Sequence, residues 1–239
     1  MLMPQEAPAQ LALSVGLRDD ATFDNFHNVG NEAVLAQLDE MLLADPVAFR
    51  YMLLWGREDS GRSHLLQAAC HATAAAGKRS VFLPMAELAA MNTEVFDNLE
   101  HLDLVCIDDI DHVLGRPQWE EALFNVFNRL RNHARMLLIS ASGPAHALSV
   151  DLPDLASRLA WGVTYHLHPL DDQEKLQALK MRARQRGMEL PDEVARYILH
   201  RGSRAMSGLF ATLATLDRAS LSAQRKLTIP FVREALGWS

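Results

Sequence analysis

A glycine-bounded segment in the first half of the chain constrains its fold more than any other feature. Residues 56–63 have the sequence GREDSGRS, follow a short apolar run and precede a segment with helical periodicity. They match the pattern G-x-x-x-x-G-K-[ST], except that Arg62 takes the place of lysine. Glycines allow backbone N–H groups to curl around phosphate oxygens, and the start of the following helix adds a positive dipole. We therefore predict a strand–loop–helix unit that binds the phosphates of a nucleotide through Ser60, Gly61, Arg62, Ser63 and His64.

An acidic motif lies at the end of a later apolar run. Residues 102–110 have the sequence LDLVCIDDI, so that a buried strand would end in Asp108 and Asp109. In open parallel sheets, ligands bind at the carboxyl ends of the strands. We expect Asp108 to hold Mg²⁺ together with the hydroxyl of Ser63, and we expect Asp109 to polarise a water molecule.

Short apolar runs alternate with helical periodicity over most of the chain. The runs cover residues 51–55, 80–83, 104–107, 136–140 and 163–167, and the helical segments between them cover 32–43, 63–76, 85–99 and 117–133. This alternation predicts a five-stranded parallel α/β sheet covered on both faces. Beyond Pro169 only helical patterns follow, at 171–186, 191–201, 203–219 and after Pro230. We predict a flexible arm over 1–21, an α/β nucleotide-binding domain over 22–168 and a small all-α lid over 169–239.

Composition excludes several classes of protein. The chain has 239 residues, of which 49% are hydrophobic, which is enough for a sizeable core. Its net charge of −7 argues against sequence-independent binding of nucleic acid. No apolar stretch approaches the ~20 residues of a membrane span, and residues 1–10 lack the basic region and apolar core from which a secretory signal is predicted. Cys70 and Cys106 each lie inside an apolar run, which favours buried thiols in a reducing cytoplasm.

Several segments resemble the AAA+ ATPases, and among them the DnaA-related family of replication initiators. The opening TFDNF at 22–26, the VGNE at 29–32 and the aspartate pair are similar to that family. So are Ser140 at the end of the fourth run, the segment 152–162 and the segment 203–209. The resemblance covers residues 22–239 and implies an AAA+ fold with nucleotide between the α/β domain and the lid.

The resemblance also implies roles for single residues. The opening segment would lie over the adenine, which assigns Phe23, Phe26, Val29 and Asn31 to nucleotide binding. Ser140 corresponds to sensor I, which responds to the γ-phosphate, and Arg204 corresponds to the sensor II arginine of the lid. Arg158 corresponds to the arginine finger, which acts in trans on the nucleotide of a neighbouring protein. Ser142 stands where relatives often have an acidic residue.

Within the family, the regulatory inactivators of the Hda type give the nearest resemblance, through residues 101–108, 152–159 and 224–232. Such proteins carry an N-terminal motif for the sliding clamp, the β subunit of DNA polymerase III. Residues 10–15, QLALSV, resemble that motif through Gln10, Leu11, Leu13 and Val15. An extended peptide of this kind places a polar anchor and apolar side chains in a pocket of its partner. Contact with DNA would then be indirect, through the clamp, and no helix-turn-helix domain is expected after the lid.

The resemblance implies negative control of replication initiation. Together with the DNA-loaded clamp, the protein would stimulate hydrolysis of the ATP bound to DnaA, while its own site holds ADP or another nucleoside diphosphate with Mg²⁺. Its own turnover stays open because Arg62 replaces the lysine that meets the β and γ phosphates. Two alternatives remain, a self-sufficient AAA+ ATPase such as a helicase loader, and a clamp–initiator adaptor without arginine-finger chemistry. A homo-oligomer is also left open.

Overall fold

A computed structural model describes residues 17–18, 21–43 and 48–238. Five strands form one parallel sheet in the order β2-β3-β4-β1-β5. The strands are β1 (Arg50–Trp55), β2 (Ser80–Pro84), β3 (Leu104–Asp108), β4 (Met136–Ala141) and β5 (Val163–His166). The predicted five-stranded parallel sheet is thus confirmed, and each strand lies within two residues of its predicted bounds. The clamp-like motif with Gln10, Leu11, Leu13 and Val15 falls outside the described residues.

Helices cover both faces of the sheet and follow it in the chain. They are α1 (Glu32–Leu43), α2 (Arg62–Ala75), α3 (Met85–Leu88), α4 (Pro117–Asn132), α5 (Pro153–Leu159), α6 (Asp172–Gln185), α7 (Asp192–Arg201), α8 (Met206–Ala223) and α9 (Ile229–Leu236). The all-helical end of the chain, predicted from its periodicity, is confirmed. No helix among the described residues is long and apolar enough to cross a membrane.

One predicted helix is wrong. The segment 85–99 forms only the single turn α3, followed by 3-10 turns at Thr93–Phe96 and Leu99–His101. The Asn92 side chain accepts a hydrogen bond from the backbone N–H of Glu94, and Asn98 adopts a left-handed backbone with φ 59°. Both arrangements compete with helical hydrogen bonding. Val95 and Phe96 are nevertheless buried, so the apolar residues of the segment pack as predicted while the backbone does not form a helix.

Each face of the sheet has its own core because successive strand residues point to opposite sides. Leu53, Val105 and Leu137 pack on one face against α4 and α5. Met52, Leu54 and Cys106 pack on the other face with α1 and α2. Cys70 and Cys106 are free, buried thiols, as the sequence predicted. A third core lies among α6, α7, α8 and α9, so the lid helices bury their own apolar side chains.

Because the strands are parallel, their carboxyl ends lie at the same edge of the sheet. Trp55 pairs with Ala141, and Ile107 pairs with Ile139, so that the residues after β1 and β3 emerge beside the end of β4. Gly56 and Asp109 follow β1 and β3 directly. The fold therefore brings the phosphate-loop motif, the aspartate pair and Ser140 together at the carboxyl end of the sheet.

Candidate nucleotide-binding site

A cavity of about 300 Å³ lies between the carboxyl edge of the sheet and the lid. Three parts of the chain form its walls: the opening segment, the phosphate-loop motif and the lid helices. The lining residues are Arg18, Asn25, Phe26, His27, Glu58, Asp59, Ser60, Gly61, Arg62, Ser63, His64, Asp109, Leu170, Ala178, Met206, Ser207 and Phe210. Apolar lid side chains thus face a polar loop, as suits a nucleotide with an apolar base and charged phosphates.

The phosphate loop depends on Gly61, which adopts a left-handed backbone with φ 92° immediately before α2. A Cβ atom there would lie 2.6 Å from Cε2 of Phe26, so a side chain is excluded both by conformation and by space. His64 holds the opening segment in place, because its Nε2 lies 2.8 Å from the carbonyl oxygen of Thr22. The rings of Phe26 and His64 are 5.6 Å apart. Phe26 therefore covers the start of α2 at the mouth of the loop.

Among the described residues, two polar atoms of the loop are buried without a hydrogen-bond partner, Ser60 Oγ and Arg62 Nη1. Buried polar groups in native proteins almost always have partners. A donor left unpaired at a helix N-terminus suits an anion such as a nucleotide phosphate. The residues present therefore fit the phosphates of a nucleotide.

Arg62 forms an ion pair with Asp109, with 3.0 Å between Nη2 and Oδ1. The side chain of Arg62 is 11% exposed and that of Asp109 is 30% exposed, so the pair is largely shielded from solvent. Asp109 has a left-handed backbone with φ 51°, and its N–H donates to Ser140 Oγ over 2.8 Å. The residue that replaces the expected lysine is thus bound to the carboxylate that was predicted to polarise water.

Asp108 lies below this pair at the end of β3 and is 4% exposed. The hydroxyl of Ser140 donates to Asp108 Oδ1 over 2.5 Å, and Ser63 lies near enough to this carboxylate to influence its pKa. Burial raises the pKa of Asp108 above its ordinary value, although the hydrogen bonds from Ser140 and Ser63 partly oppose this effect. A buried carboxylate with the Ser63 hydroxyl nearby is a suitable donor set for Mg²⁺.

Ser142 binds Asp111, two residues beyond the aspartate pair. Its N–H donates to Oδ2 over 2.8 Å, and its hydroxyl donates to Oδ1 over 2.6 Å. The loop after β4 is thereby fastened to the turn after β3. The observed contacts of Ser142 thus tie these two loops together.

The structure brings most predicted nucleotide residues together, while others lie apart from the cavity. Phe26, the predicted residues from Ser60 to His64 and Asp109 line it. Val29 is 46% exposed, and Phe23 packs against the core beside α2. The amide of Asn31 is occupied, since it accepts from His168 N–H over 3.0 Å and donates to the His168 carbonyl. Ser140 lies beneath the cavity, in contact with both aspartates.

Arg204 requires a correction. The residue is exposed and lies in the turn before α8, so its predicted position within a helix over 203–219 is wrong. Its backbone carbonyl accepts a hydrogen bond from Lys175 Nζ over 2.8 Å. Its side chain does not line the cavity. The helix begins three residues later than its periodicity suggested because residues 202–205 separate α7 from α8.

Lid residues were missed by sequence reasoning. Leu170, Ala178, Met206 and Phe210 line the cavity. They have the same apolar character as the lid core, so no local signal separates them from core residues. Only the docking of the lid against the phosphate loop identifies them.

Arg158 lies on α5, away from the cavity. It is half-buried, and no ion pair or side-chain hydrogen bond involves it within the described part of the chain. Two backbone N–H groups at the start of its helix, those of Asp151 and Leu152, donate to the carboxylate of Glu120 over 3.1 and 2.7 Å. Glu120 is 1% exposed and also accepts from Gly115 N–H over 2.7 Å. A buried carboxylate thus fixes the start of the helix that carries Arg158.

Comparisons with known proteins agree with this architecture. The family model for the bacterial DnaA ATPase domain matches residues 17–166, and the model for the Hda lid domain matches residues 172–236. Domain III of the replication initiation protein DnaA from Thermotoga maritima superimposes with a TM-score of 0.75 at 19% identity, over 93% of this chain and 98% of that one. AMPPCP-bound DnaA from Aquifex aeolicus gives 0.71 at 20% identity, over 85% and 67%. The RuvB Holliday junction branch migration motor of Thermotoga maritima gives 0.62 at 16% identity, over 87% and 69%.

The sheet order, the phosphate loop and the helical lid define an AAA+ protein. The chain belongs to the bacterial DnaA ATPase-domain family, and its last four helices match the lid domain of Hda. This membership supports nucleotide binding and a role connected with the initiation of DNA replication.

Proposed function

We propose that this protein regulates replication initiation by stimulating hydrolysis of the ATP bound to DnaA. In this proposal the DNA-loaded sliding clamp recruits the protein, and Arg158 enters the nucleotide site of the initiator. An arginine finger stabilises charge that develops on the transferred phosphoryl group, an effect worth roughly 10³–10⁵ in rate in known cases. The reaction then takes place in the partner, and this chain supplies one side chain to it.

The state of Arg158 is the observation that carries the proposal. A surface arginine with only a structural role commonly pairs with a carboxylate. Arg158 has no such partner among the described residues, although Glu120 anchors the start of its helix from the buried side. An arginine that is held in place and left unpaired is available to a phosphate of another protein.

The site of this chain supports a nucleotide that is bound rather than consumed. The guanidinium of Arg62 pairs with Asp109, so the carboxylate predicted to activate water is engaged. We propose that ADP occupies the cavity with its phosphates at Ser60, Gly61 and Arg62, and that Ser63 and Asp108 hold Mg²⁺. The metal would neutralise phosphate charge there. In this view Asp109 restrains Arg62 and does not serve as a base.

Recruitment by the clamp rests on the sequence motif with Gln10, Leu11, Leu13 and Val15. A peptide of this type gains affinity by placing its apolar side chains in a preformed pocket. We propose that replacing Leu11 and Leu13 by alanine abolishes the effect of the clamp while leaving the remaining chain folded. The cytoplasm is the proposed location, since the initiator and the clamp act there.

The test is a single-turnover assay on purified initiator preloaded with labelled ATP. This protein and the DNA-loaded clamp are added separately and together. We expect fast release of phosphate only when both are present, and we expect Arg158→Ala to remove it. Arg131→Ala is the matched control, because Arg131 is also half-buried and has no ion pair within the described residues.

The outcomes separate the proposal from its alternatives. If Arg158→Ala retains the stimulation, the protein acts as an adaptor without arginine-finger chemistry. If phosphate release requires neither the initiator nor the clamp, the protein is a self-sufficient ATPase of the helicase-loader type. Arg158→Lys keeps the charge but lacks the planar fork, so we expect it to retain little of the effect.

A further inference from the structure

Three polar side chains of α2 bind the backbone of the segment that precedes the sheet. His64, Gln67 and His71 are three and four positions apart, so they lie on one face of the helix. Nε2 of His71 lies 3.0 Å from the carbonyl oxygen of Arg18 and must be the donor, because a carbonyl oxygen only accepts. Nε2 of His64 donates in the same way to Thr22 over 2.8 Å. Gln67 is 7% exposed, and its Oε1 accepts from the N–H of Arg18 over 2.9 Å.

Neighbouring contacts fix the same stretch of chain. Leu17 packs against the core that α2 shares with the sheet, and Ala21 is fully buried. The N–H of Ala21 also donates to the carbonyl oxygen of Arg18, over 2.9 Å. All these contacts use the backbone of Arg18, while Arg18 itself is among the residues that line the nucleotide cavity. The helix that begins at the phosphate loop thus holds an arginine of the preceding segment at the cavity.

The charges around the cavity show what this arginine adds. Among the described residues that line the cavity, the acids are Glu58, Asp59 and Asp109, and the arginines are Arg18 and Arg62. Arg62 is paired with Asp109. A nucleoside diphosphate would bring further negative charge into this acidic cavity, and guanidinium groups are well suited to bind its phosphates. Arg18 supplies a second guanidinium, beside the one that Asp109 engages.

We propose that Arg18 binds the phosphates of the nucleotide, and that Gln67 and His71 are positioning residues that hold it at the cavity. The predicted clamp motif ends at Val15, and the three residues from there to Arg18 span at most about 10 Å. The clamp and the nucleotide would then be bound by adjoining parts of one short segment. This inference rests on the proposed nucleotide site and adds to it a contact that the phosphate-loop motif does not contain.

The test measures the affinity of the full-length protein for ADP and for inorganic pyrophosphate by titration calorimetry. We expect Arg18→Ala to bind both about tenfold more weakly, because one charge-assisted contact with phosphate is lost. Arg18→Lys keeps the charge without the planar fork, so its loss should be smaller. Position 18 is exposed, so neither substitution disturbs the core. Arg218→Ala is the matched control, since Arg218 is an exposed arginine that does not line the cavity, and its affinities should equal those of the wild type.

Gln67→Met combined with His71→Ala tests the positioning role. These changes remove the side chains that bind the backbone of Arg18, so we expect ADP to bind about threefold more weakly. Adding Arg18→Ala to this variant should weaken binding no further than Arg18→Ala does alone, because the two side chains act through Arg18. His71→Ala alone, at a half-buried position, should show the same non-additivity on a smaller scale and leaves Gln67 in the core.

Equal ADP affinity of Arg18→Ala and the wild type would overturn the contact. Weaker binding of ADP with unchanged binding of pyrophosphate would overturn its assignment to the phosphates. Additive losses in the combined variants would overturn the positioning role of Gln67 and His71. A wild type that binds neither ligand would defeat the proposed nucleotide site and this inference with it, a result distinct from the other three.

Discussion

At the scale of single residues, the ion pair between Arg62 and Asp109 accounts for two departures from the expected chemistry. The guanidinium stands where a lysine meets phosphate, and the carboxylate stands where water would be activated. Their contact of 3.0 Å engages both groups. A bound phosphate can meet the unpaired Nη1 of Arg62, but it competes with the attraction of Asp109 for the same guanidinium.

This competition makes Asp109→Asn informative. Without the carboxylate, Arg62 is free to pair with phosphate, so we expect ADP to bind about five- to tenfold more tightly, roughly 1 kcal/mol for one additional charge-assisted contact. Titration calorimetry measures this change. Asp97→Asn removes the same charge from an exposed position away from the cavity and should leave the affinity unchanged. Weaker binding by Asp109→Asn would show that Asp109 contributes to holding the nucleotide.

The buried Asp108 leads to a prediction about pH. Burial raises its pKa in the folded state, so the folded protein holds the proton more tightly than the unfolded chain does. The protonated carboxyl of Asp108 therefore contributes stability at low pH. This contribution is lost as the pH rises from the pKa of Asp108 in the unfolded chain to its higher pKa in the folded protein. We expect Asp108→Asn to gain stability relative to the wild type as the pH is raised from about 4, the ordinary pKa of an aspartate. Urea denaturation of both proteins across this range measures the difference between their free energies of unfolding. A difference that becomes smaller as the pH rises would contradict the raised pKa of Asp108.

The local sequence motif predicted the residues of the phosphate loop, because the conformation and chemistry of this loop depend on residues that are adjacent in the chain. Gly61 illustrates this: its left-handed φ and its contact with Phe26 require glycine. Asn31 and Arg204 illustrate the opposite case. Asn31 hydrogen-bonds to the backbone of His168, which lies 137 positions away in the chain. The late start of α8 places Arg204 in a turn. Both features depend on tertiary packing, which no local pattern contains.

At the scale of elements, Glu120 of α4 controls how α5 begins. Its carboxylate accepts from the N–H groups of Gly115, Asp151 and Leu152 and is almost fully buried. Sequence reasoning gave no helix for the segment around Arg158, since α5 has only seven residues, too few for periodicity to be recognised. The long, regular strands and helices were predicted because each repeats its apolar spacing several times.

Glu120→Ala should therefore weaken both the fold and the proposed activity. Three buried N–H groups would lose their acceptor, which we expect to reduce the free energy of unfolding by about 2–4 kcal/mol. Chemical denaturation checks this value. Glu121→Ala is the matched control, because Glu121 is the exposed neighbour on the same helix, and its change should stay within about 0.5 kcal/mol. Equal stability of the two variants would contradict the anchoring role of Glu120.

At the scale of the whole molecule, the α/β sheet and the lid have separate cores and meet at the cavity. The alternation of strands and helices predicted the sheet and the lid. It could not predict which lid side chains face the phosphate loop, because that depends on how two independently packed bodies dock. Arg158 lies outside this cavity, so we propose that it and the cavity act on different nucleotides, one carried by DnaA and one bound here.

The most direct test of this account asks which nucleotide is hydrolysed. The initiator is preloaded with ATP carrying one label, this protein is preloaded with ATP carrying a different label, and the two are mixed with DNA-loaded clamp in a single-turnover reaction. We predict rapid release of labelled phosphate from the initiator alone, and loss of that release with Arg158→Ala. Rapid release of the label carried by this protein, independent of Arg158, would contradict it.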